Sequence, residues 1–393
     1  METTELIEIL ARDEDSRHQF KANVTNEASL ASEIVAFSNT QGGTLIISFI
    51  GAHDDGTLSG LTRDDMGRLS NLISNAASQQ VKPPINPVTE NLALDAGLVM
   101  VVHIPEGISK PYMDKNGAIW VKSGPDKRKA TSREEIQRMY QSASLIHGDE
   151  IPTGAPINDI HEELFSAFYE SQYEEKLTDQ ELPLPQILHN LNLAKDGFLN
   201  VAGALLFANN VQYRLPAFIV KCVTYPGIDI DVDEYLDSQD ISGTLRKVFD
   251  DTLGFVLRHI RRVQGDQSVN SLGELEVPKI VFEELIVNAL IHRDYFVSAP
   301  VRVFVFSDRI EIVSPGHLPN NLTIENIKNG NSNIRNPILA SFATKLLPYR
   351  GLGSGIRRAV KAYPDIAFEE NREGNWFKAI INLPDSHQEG EDA

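Results

Sequence analysis

Glu284 and Asn288 stand four positions apart in an apolar run, a spacing that places both side chains on one face of a helix. A carboxylate in this position can orient and deprotonate a water molecule. The neighbouring amide oxygen can bind Mg²⁺, which prefers hard oxygen ligands. The alternative is that a Glu and an Asn share a solvated helix face by chance.

Gly351, Gly353 and Gly355 form a second feature of this kind. Alternating glycines let the backbone approach a phosphate closely, and the helix that follows offers free amide groups and the positive end of its dipole. The loop is not a P-loop, because it lacks Gly-Lys-Ser/Thr. It is not a dinucleotide fingerprint either, because its spacing is GxGxG and no strand leads directly into it. An ordinary flexible turn remains the alternative.

Three predicted elements must position these residues. Apolar periodicity predicts a helix over residues 277–292, and alternation predicts a hairpin of strands 301–306 and 310–313. A turn at 314–316 follows the hairpin. The polar, Asn-rich stretch 318–336 is long enough to be a mobile cover over a site.

Helix, hairpin, turn and glycine loop, in this order, resemble the ATP-binding domain of the GHKL ATPases. More narrowly, they resemble the variant at the end of RecG-related proteins described as predicted transcriptional regulators. The helix carries that variant's E-x-x-x-N-A motif, here Glu284, Asn288 and Ala289, and continues into His-Arg-Asp-Tyr at 292–295. The resemblance covers about residues 277–383.

The resemblance implies an ATP site with Mg²⁺ as cofactor, in which Glu284 is the general base and Asn288 the Mg²⁺ ligand. Residues 317–350 would form its lid. The wider family places an Asp-x-Gly box where this chain has Ser314-Pro315-Gly316. A serine can accept a hydrogen bond but carries no charge, so we expect it to select adenine less strictly. The expected nucleotide-binding residues are Asn288, Ser314, Gly316, Arg335, Gly351, Gly353 and Gly355.

The amino-terminal residues resemble the Schlafen-type AlbA-like domain over about residues 10–140. The motifs are Glu14, the triplet Gln19-Phe20-Lys21, the turn F-x-N-x-x-G-G at 37–43, and Asp54-Asp55 after the next strand. Some Schlafen proteins use three carboxylates as a metal-dependent nuclease. Glu14 and either Asp54 or Asp55 match two of them, but Gln19 replaces the other and weakens such a site. Solvated turn residues are the alternative.

Nucleic-acid binding, to DNA or RNA, is the function we expect of this domain. Lys122, Lys127, Arg128 and Lys129 form the most basic stretch of the chain, and Lys21 could join them. Such clusters bind phosphates with strong salt dependence. A solvated basic turn balanced by nearby acids is the alternative. The net charge of −19 argues against polyanion binding by the whole surface, but it does not exclude a local basic groove.

Composition sets the class of the protein. With 393 residues, 41% of them hydrophobic, the chain can hold several domains. Cys222 is the only cysteine, so no intrachain disulfide can form. No apolar run could span a membrane and the first residues do not form a signal peptide, so we expect a cytoplasmic protein. Homo-oligomerisation is expected from the resemblance alone.

The predicted fold is α+β and multidomain, with an AlbA-like α/β domain, a middle α/β segment and a GHKL-type (Bergerat) α/β sandwich. The AlbA-like domain is expected over residues 1–145, the middle segment, for coupling or assembly, over 152–275, and the GHKL-type domain over 276–386. A linker is expected at 151–156 and a disordered acidic tail at 387–393.

Three hypotheses follow for function. The first is a Mg²⁺-dependent ATPase whose AlbA-like domain binds nucleic acid, acting in transcriptional regulation or anti-phage defence. The second is a nuclease gated by nucleotide, and the third a non-catalytic regulator that senses nucleotide. A helicase motor is not supported, because the Walker-type loop is absent.

Overall fold

The computed structural model describes residues 3–12, 14–22, 24–48, 60–94, 97–143, 145–230, 234–263, 273–319 and 322–384. The chain divides into two compact units, Met1–Ile146 and His147–Ala393. Within the described part, every helix is too short or too polar to cross a lipid bilayer. Asp54, Asp55 and the predicted tail at 387–393 lie outside the described residues.

The first unit is a four-stranded sheet with helices on both faces and a separate hairpin. Its helices are α1 (Thr3–Leu10), α2 (Glu27–Asn39), α3 (Arg63–Asn75) and α4 (Arg133–Ser142). Its strands are β1 (His18–Lys21), β2 (Gly43–Ile47), β3 (Val81–Lys82), β4 (Val88–Leu94), β5 (Gly97–Ile104), β6 (Met113–Asp114), β7 (Trp120–Ser123) and β8 (Asp126–Lys129).

Alternation along the strands explains how the sheet of the first unit packs. The strand order is β1-β2-β5-β4, with β1 and β2 parallel across the crossover helix α2. Leu45 and Ile47 face the core beneath α2 and α3. Ile46, between them, faces Leu6 of α1 on the other side. The β7–β8 hairpin carries most of the predicted basic stretch.

The second unit holds the remaining elements. Its helices are α5 (Glu162–Tyr173), α6 (Leu184–Asn190), α7 (Val201–Phe207), α8 (Val211–Arg214), α9 (Leu245–His259), α10 (Lys279–Ile291), α11 (Ile324–Lys328), α12 (Pro337–Leu346) and α13 (Gly355–Ala362). Its strands are β9 (Pro152–Pro156), β10 (Ala194–Lys195), β11 (Phe198–Asn200), β12 (Val220–Thr224), β13 (Asp237–Ile241), β14 (Arg262–Val263), β15 (Glu274–Leu275), β16 (Val301–Val305), β17 (Arg309–Pro315), β18 (Ile366–Asn371) and β19 (Trp376–Asn382).

A six-stranded sheet of order β13-β12-β16-β17-β19-β18 organises the second unit. Its pairs are antiparallel except β12 with β16. One face packs against α9, α10 and other helices through alternate residues such as Val303, Ile312 and Ile381. The predicted α+β, multidomain class is confirmed, as are the helix over 277–292 and the hairpin around Ser307–Arg309.

Two segments differ from the sequence expectation. The predicted linker at 151–156 is wrong: residues 152–156 form strand β9, which pairs with β11 and buries Ala155. The boundary predicted at 275/276 does not separate compact units. Strands β12 and β13, from the predicted middle segment, lie in the same sheet as β16–β19, so hydrogen bonds join the two segments.

Candidate functional site

A cavity in the second unit brings the predicted helix and glycine loop together. It encloses about 1000 Å³ of empty space, counting its open mouth, a size typical of small-molecule sites. The β17 and β19 side is largely apolar, with Ile312, Phe377 and Ala379. The residues from α10, the glycine loop and the start of α13 are largely polar. Such a cavity suits a ligand with one flat apolar part and one anionic part.

Glu284 lies in this cavity but not on a solvated helix face. Helix α10 is buried on nearly every side, and Glu284 is only 4% exposed. Its carboxylate forms an ion pair with Arg358 of α13. Burial raises the pKa of Glu284, and the positive charges of Arg358 and Arg350 only partly oppose this effect. The alternative that Glu284 lies on a solvated helix face by chance is therefore excluded.

Asn288 and Gly355 complete the polar end of the cavity. The amide Nδ2 of Asn288 donates to the backbone oxygen of Glu284 at 2.5 Å, which leaves Oδ1 for a ligand. A Cβ atom at Gly355 would lie 2.6 Å from Glu284 Oε2 and 3.0 Å from Asn288 Nδ2. Only glycine therefore lets the loop approach this pair. Gly351 and Gly353 have φ of +68° and +67°, a region that favours glycine.

Ser314 and Gly316 lie where β17 ends, on the cavity wall. The Ser314 hydroxyl donates to the backbone oxygen of Ala289 at 3.0 Å, so its oxygen faces a ligand as an acceptor. Gly316 has a φ of +104° and packs against Arg335: a Cβ there would lie 2.1 Å from Nη1.

Arg335 is placed differently from the sequence expectation. It is not among the described residues that line the cavity, and its Nη2 donates to the backbone oxygen of His317 at 2.6 Å. The guanidinium therefore supports the turn behind Gly316. The cationic residues on the cavity wall are Arg350 and Arg358. Sequence reasoning missed both, although Arg358 follows the glycine loop by only three positions.

His292, at the end of α10, also lines the cavity but is neutral. Burial, with a smaller contribution from Arg335, lowers its pKa to about 4. Its Nε2 lies 3.1 Å from the hydroxyl of Tyr349, another wall residue. The histidine therefore presents a polar but uncharged group.

In the first unit, Gln19 stands at the position of the missing carboxylate and binds an internal ammonium group. Gln19 Oε1 accepts from Lys122 Nζ at 2.7 Å, and both residues are buried. Burial lowers the pKa of Lys122, opposed by Glu33 and Glu14. The expectation that Lys122 is a surface phosphate contact is therefore wrong: its side of β7 faces inward, over the Phe37 ring.

The other predicted basic residues differ in whether a carboxylate already pairs with them. Lys127 and Lys21 pair with the buried carboxylate of Glu33 at 2.7 Å and 3.5 Å. Arg128 is held by both oxygens of Glu135. Lys129 makes no ion pair within the described residues and lies 5.2 Å from the centre of the Trp120 ring.

Glu14, the first predicted nuclease carboxylate, accepts a hydrogen bond from the backbone nitrogen of Phe20 at 2.6 Å. Within the described ranges, no group of three His, Cys, Asp or Glu side chains is arranged to hold a metal ion. Asp54 and Asp55 lie outside those ranges, so their part in such a group stays a prediction.

Comparison with known families bears on both units. Residues 14–131 match the family described as "Schlafen, AlbA_2". The first unit carries a Schlafen AlbA_2 domain. Residues 298–378 match the family described as "Putative ATP-dependent DNA helicase recG C-terminal". Both resemblances stated from the sequence are thereby confirmed, and together they support a nucleic-acid-related, ATP-binding type of protein. The second match begins after the helix that holds Glu284 and Asn288.

Comparison with curated proteins found no match. Among solved structures, the DIP2311 protein from Corynebacterium diphtheriae is similar at 18% identity and a TM-score of 0.47, covering 97% of this chain and 80% of that one. The N-terminal domain of a "Putative ATP-dependent DNA Helicase RecG-related Protein" from Nitrosomonas europaea has 21% identity and a TM-score of 0.25, covering 33% of this chain and 94% of that one.

Proposed function

We propose that the second unit of this AlbA_2 protein binds ATP with Mg²⁺ in the cavity and hydrolyses it. The observation that carries the proposal is the meeting of Glu284, Asn288 and Gly355 at the polar end of an otherwise apolar cavity. The glycine loop and the start of α13 direct backbone amides at this end, which favours a phosphate group. The apolar side suits the flat face of a base.

The chain's own residues would divide the work. Glu284, buried and with a raised pKa, would take the proton of a water that attacks the terminal phosphorus. The new O–P bond forms as the bond to the ADP oxygen breaks, giving ADP and phosphate. Ser314 would accept a hydrogen bond from an amino group of the base. Asn288 Oδ1 would be one ligand to Mg²⁺, which would neutralise charge on the phosphate oxygens.

Phosphate release separates this function from a non-catalytic regulator, an alternative favoured by the Glu284–Arg358 ion pair because that pair occupies the base. We expect the wild type to release phosphate from ATP only with Mg²⁺, and Glu284→Gln to lose the activity by about a hundredfold or more. Glu283→Gln is the matched control, since Glu283 immediately precedes Glu284 on the helix and pairs with Lys279 outside the cavity. ATP binding without release in the wild type would favour the regulator.

For the first unit we propose nucleic-acid binding through the β7–β8 hairpin, acting in regulation or defence. Lys129 beside Trp120 carries this proposal, because it combines an exposed cation that makes no ion pair among the described residues with an aromatic ring. Binding of labelled single- and double-stranded DNA and of RNA, measured across salt concentrations, tests it. Absence of binding to all three at low salt would refute it.

A further inference from the structure

Arg358 has two features that the proposed hydrolysis leaves unexplained. Its guanidinium forms an ion pair with Glu284, the residue that should be free to take a proton. Its Nε is buried and has no acceptor within the described part of the chain. The side chain is about a quarter exposed, at 24%, whereas that of Glu284 is 5% exposed. The guanidinium of Arg358 therefore has donors that are not hydrogen-bonded, and it borders the cavity.

Guanidinium groups bind phosphate strongly, because their planar fork donates two parallel hydrogen bonds to two oxygens. A polyphosphate at the glycine loop would carry several negative charges beside Arg358. Glu284 carries one charge at most, and its ion pair with Arg358 leaves Nε of the guanidinium without an acceptor among the described residues. Polyphosphate should therefore compete well for the guanidinium.

We propose that Arg358 is a phosphate-responsive restraint on Glu284. Without ligand, the guanidinium occupies the carboxylate and lowers its ability to take a proton from water. A bound nucleoside di- or triphosphate takes over the guanidinium, including the unused Nε, and leaves the carboxylate free. Arg358 is a positioning residue here: it acts on water only through Glu284. This inference rests on the proposed nucleotide site and deepens it.

Competition between Glu284 and phosphate gives an unusual expectation for binding. Glu284→Gln removes the competing charge, so we expect it to tighten binding of ADP by about fivefold to tenfold. Arg358→Gln should weaken ADP binding by about tenfold or more, and Arg358→Lys less than this, because the ammonium keeps the charge but loses the fork. Adenosine, which has no phosphate, should bind all variants equally well.

Isothermal titration calorimetry with ADP and adenosine measures these changes in affinity without turnover. Two neighbours serve as matched controls: Arg357→Gln, since Arg357 is exposed, and Glu283→Gln. Both should bind ADP like the wild type. Thermal unfolding of each variant shows whether it is folded. Glu284→Gln still tests the competition if Arg358→Gln does not fold.

The outcomes separate this inference from the proposed function. If the wild type binds neither ADP nor ATP, both are overturned. If it binds ADP, and Glu284→Gln binds no more tightly, the restraint is refuted and the nucleotide site stands. Equal weakening of adenosine and ADP by Arg358→Gln would also refute it, because Arg358 would then only support the fold.

Discussion

A buried carboxylate outside the cavity gives a quantitative test of the second unit. Asp149 is 0% exposed, and its Oδ2 accepts the backbone N–H groups of Ile338 and Leu339 in the first turn of α12, at 2.8 Å and 3.0 Å. Its Oδ1 has no partner within the described residues. Burial raises the pKa of Asp149 from 3.8 to about 6, and the two N–H groups only partly oppose this.

The raised pKa determines how stability depends on pH. Because the folded-state pKa is above the unfolded value, the stabilisation from this carboxyl is fully present below 3.8 and is lost as the pH rises through about 6. The shift is about two pKa units at about 1.4 kcal/mol each, so the loss is ~3 kcal/mol. Asp149→Asn cannot titrate. We expect its unfolding free energy, relative to wild type, to rise by ~3 kcal/mol between about pH 4 and pH 8.

Urea unfolding at several pH values measures this difference. The chain has two tryptophans, Trp120 and Trp376, so a Trp120→Phe background leaves Trp376 to report on the second unit alone. Glu150→Gln in the same background is the matched control, because Glu150 is the exposed neighbour of Asp149. Its charge is the smallest of the influences on the Asp149 pKa, so its difference from wild type should change with pH much less than that of Asp149→Asn. A flat difference for Asp149→Asn as well would refute the burial of this carboxylate.

Three further outcomes are expected. Gly355→Ala should abolish ADP binding, measured by calorimetry, with its melting temperature changed by less than about 3 °C, because the new Cβ meets only side-chain atoms of the cavity. Gly316→Ala should instead destabilise the protein by about 2–3 kcal/mol in urea unfolding, since it combines a φ of +104° with a collision against Arg335. Lys129→Gln should lower the slope of log affinity against log salt concentration, measured for nucleic-acid binding, by about one. Arg128→Gln should lower this slope less, because Glu135 already holds Arg128. Equal slopes for the two variants would contradict this.

Local spacing was enough to find the centre of the candidate site. Glu284 and Asn288 could be paired from the helical period alone, and the glycines from their alternation. Arg358 could not be paired with Glu284, because the ion pair joins two helices separated by the whole hairpin and cover. The charge on Arg335 suggested a phosphate contact, but a guanidinium can equally donate to a backbone oxygen, here that of His317.

The basic stretch shows a similar limit. Alternation in β7 places Trp120 and Lys122 on one face, but it does not say which face is buried. The buried amide of Gln19 decides it, by accepting from Lys122. The linker at 151–156 was misassigned because its prolines and Gly154 favour irregular chain, whereas an edge strand tolerates both.

The parallel pair β12–β16 determines how long a fragment of the chain must be to fold on its own. Val220 lies opposite Val301, so a strand from before the RecG-type match borders the first strand inside it. A fragment starting at residue 276 or 298 would leave the backbone of β16 as an open edge, a template for aggregation. The unit of sequence similarity is thus smaller than the unit that folds. Recombination that moved this module between proteins would have to carry β12 and β13 with it.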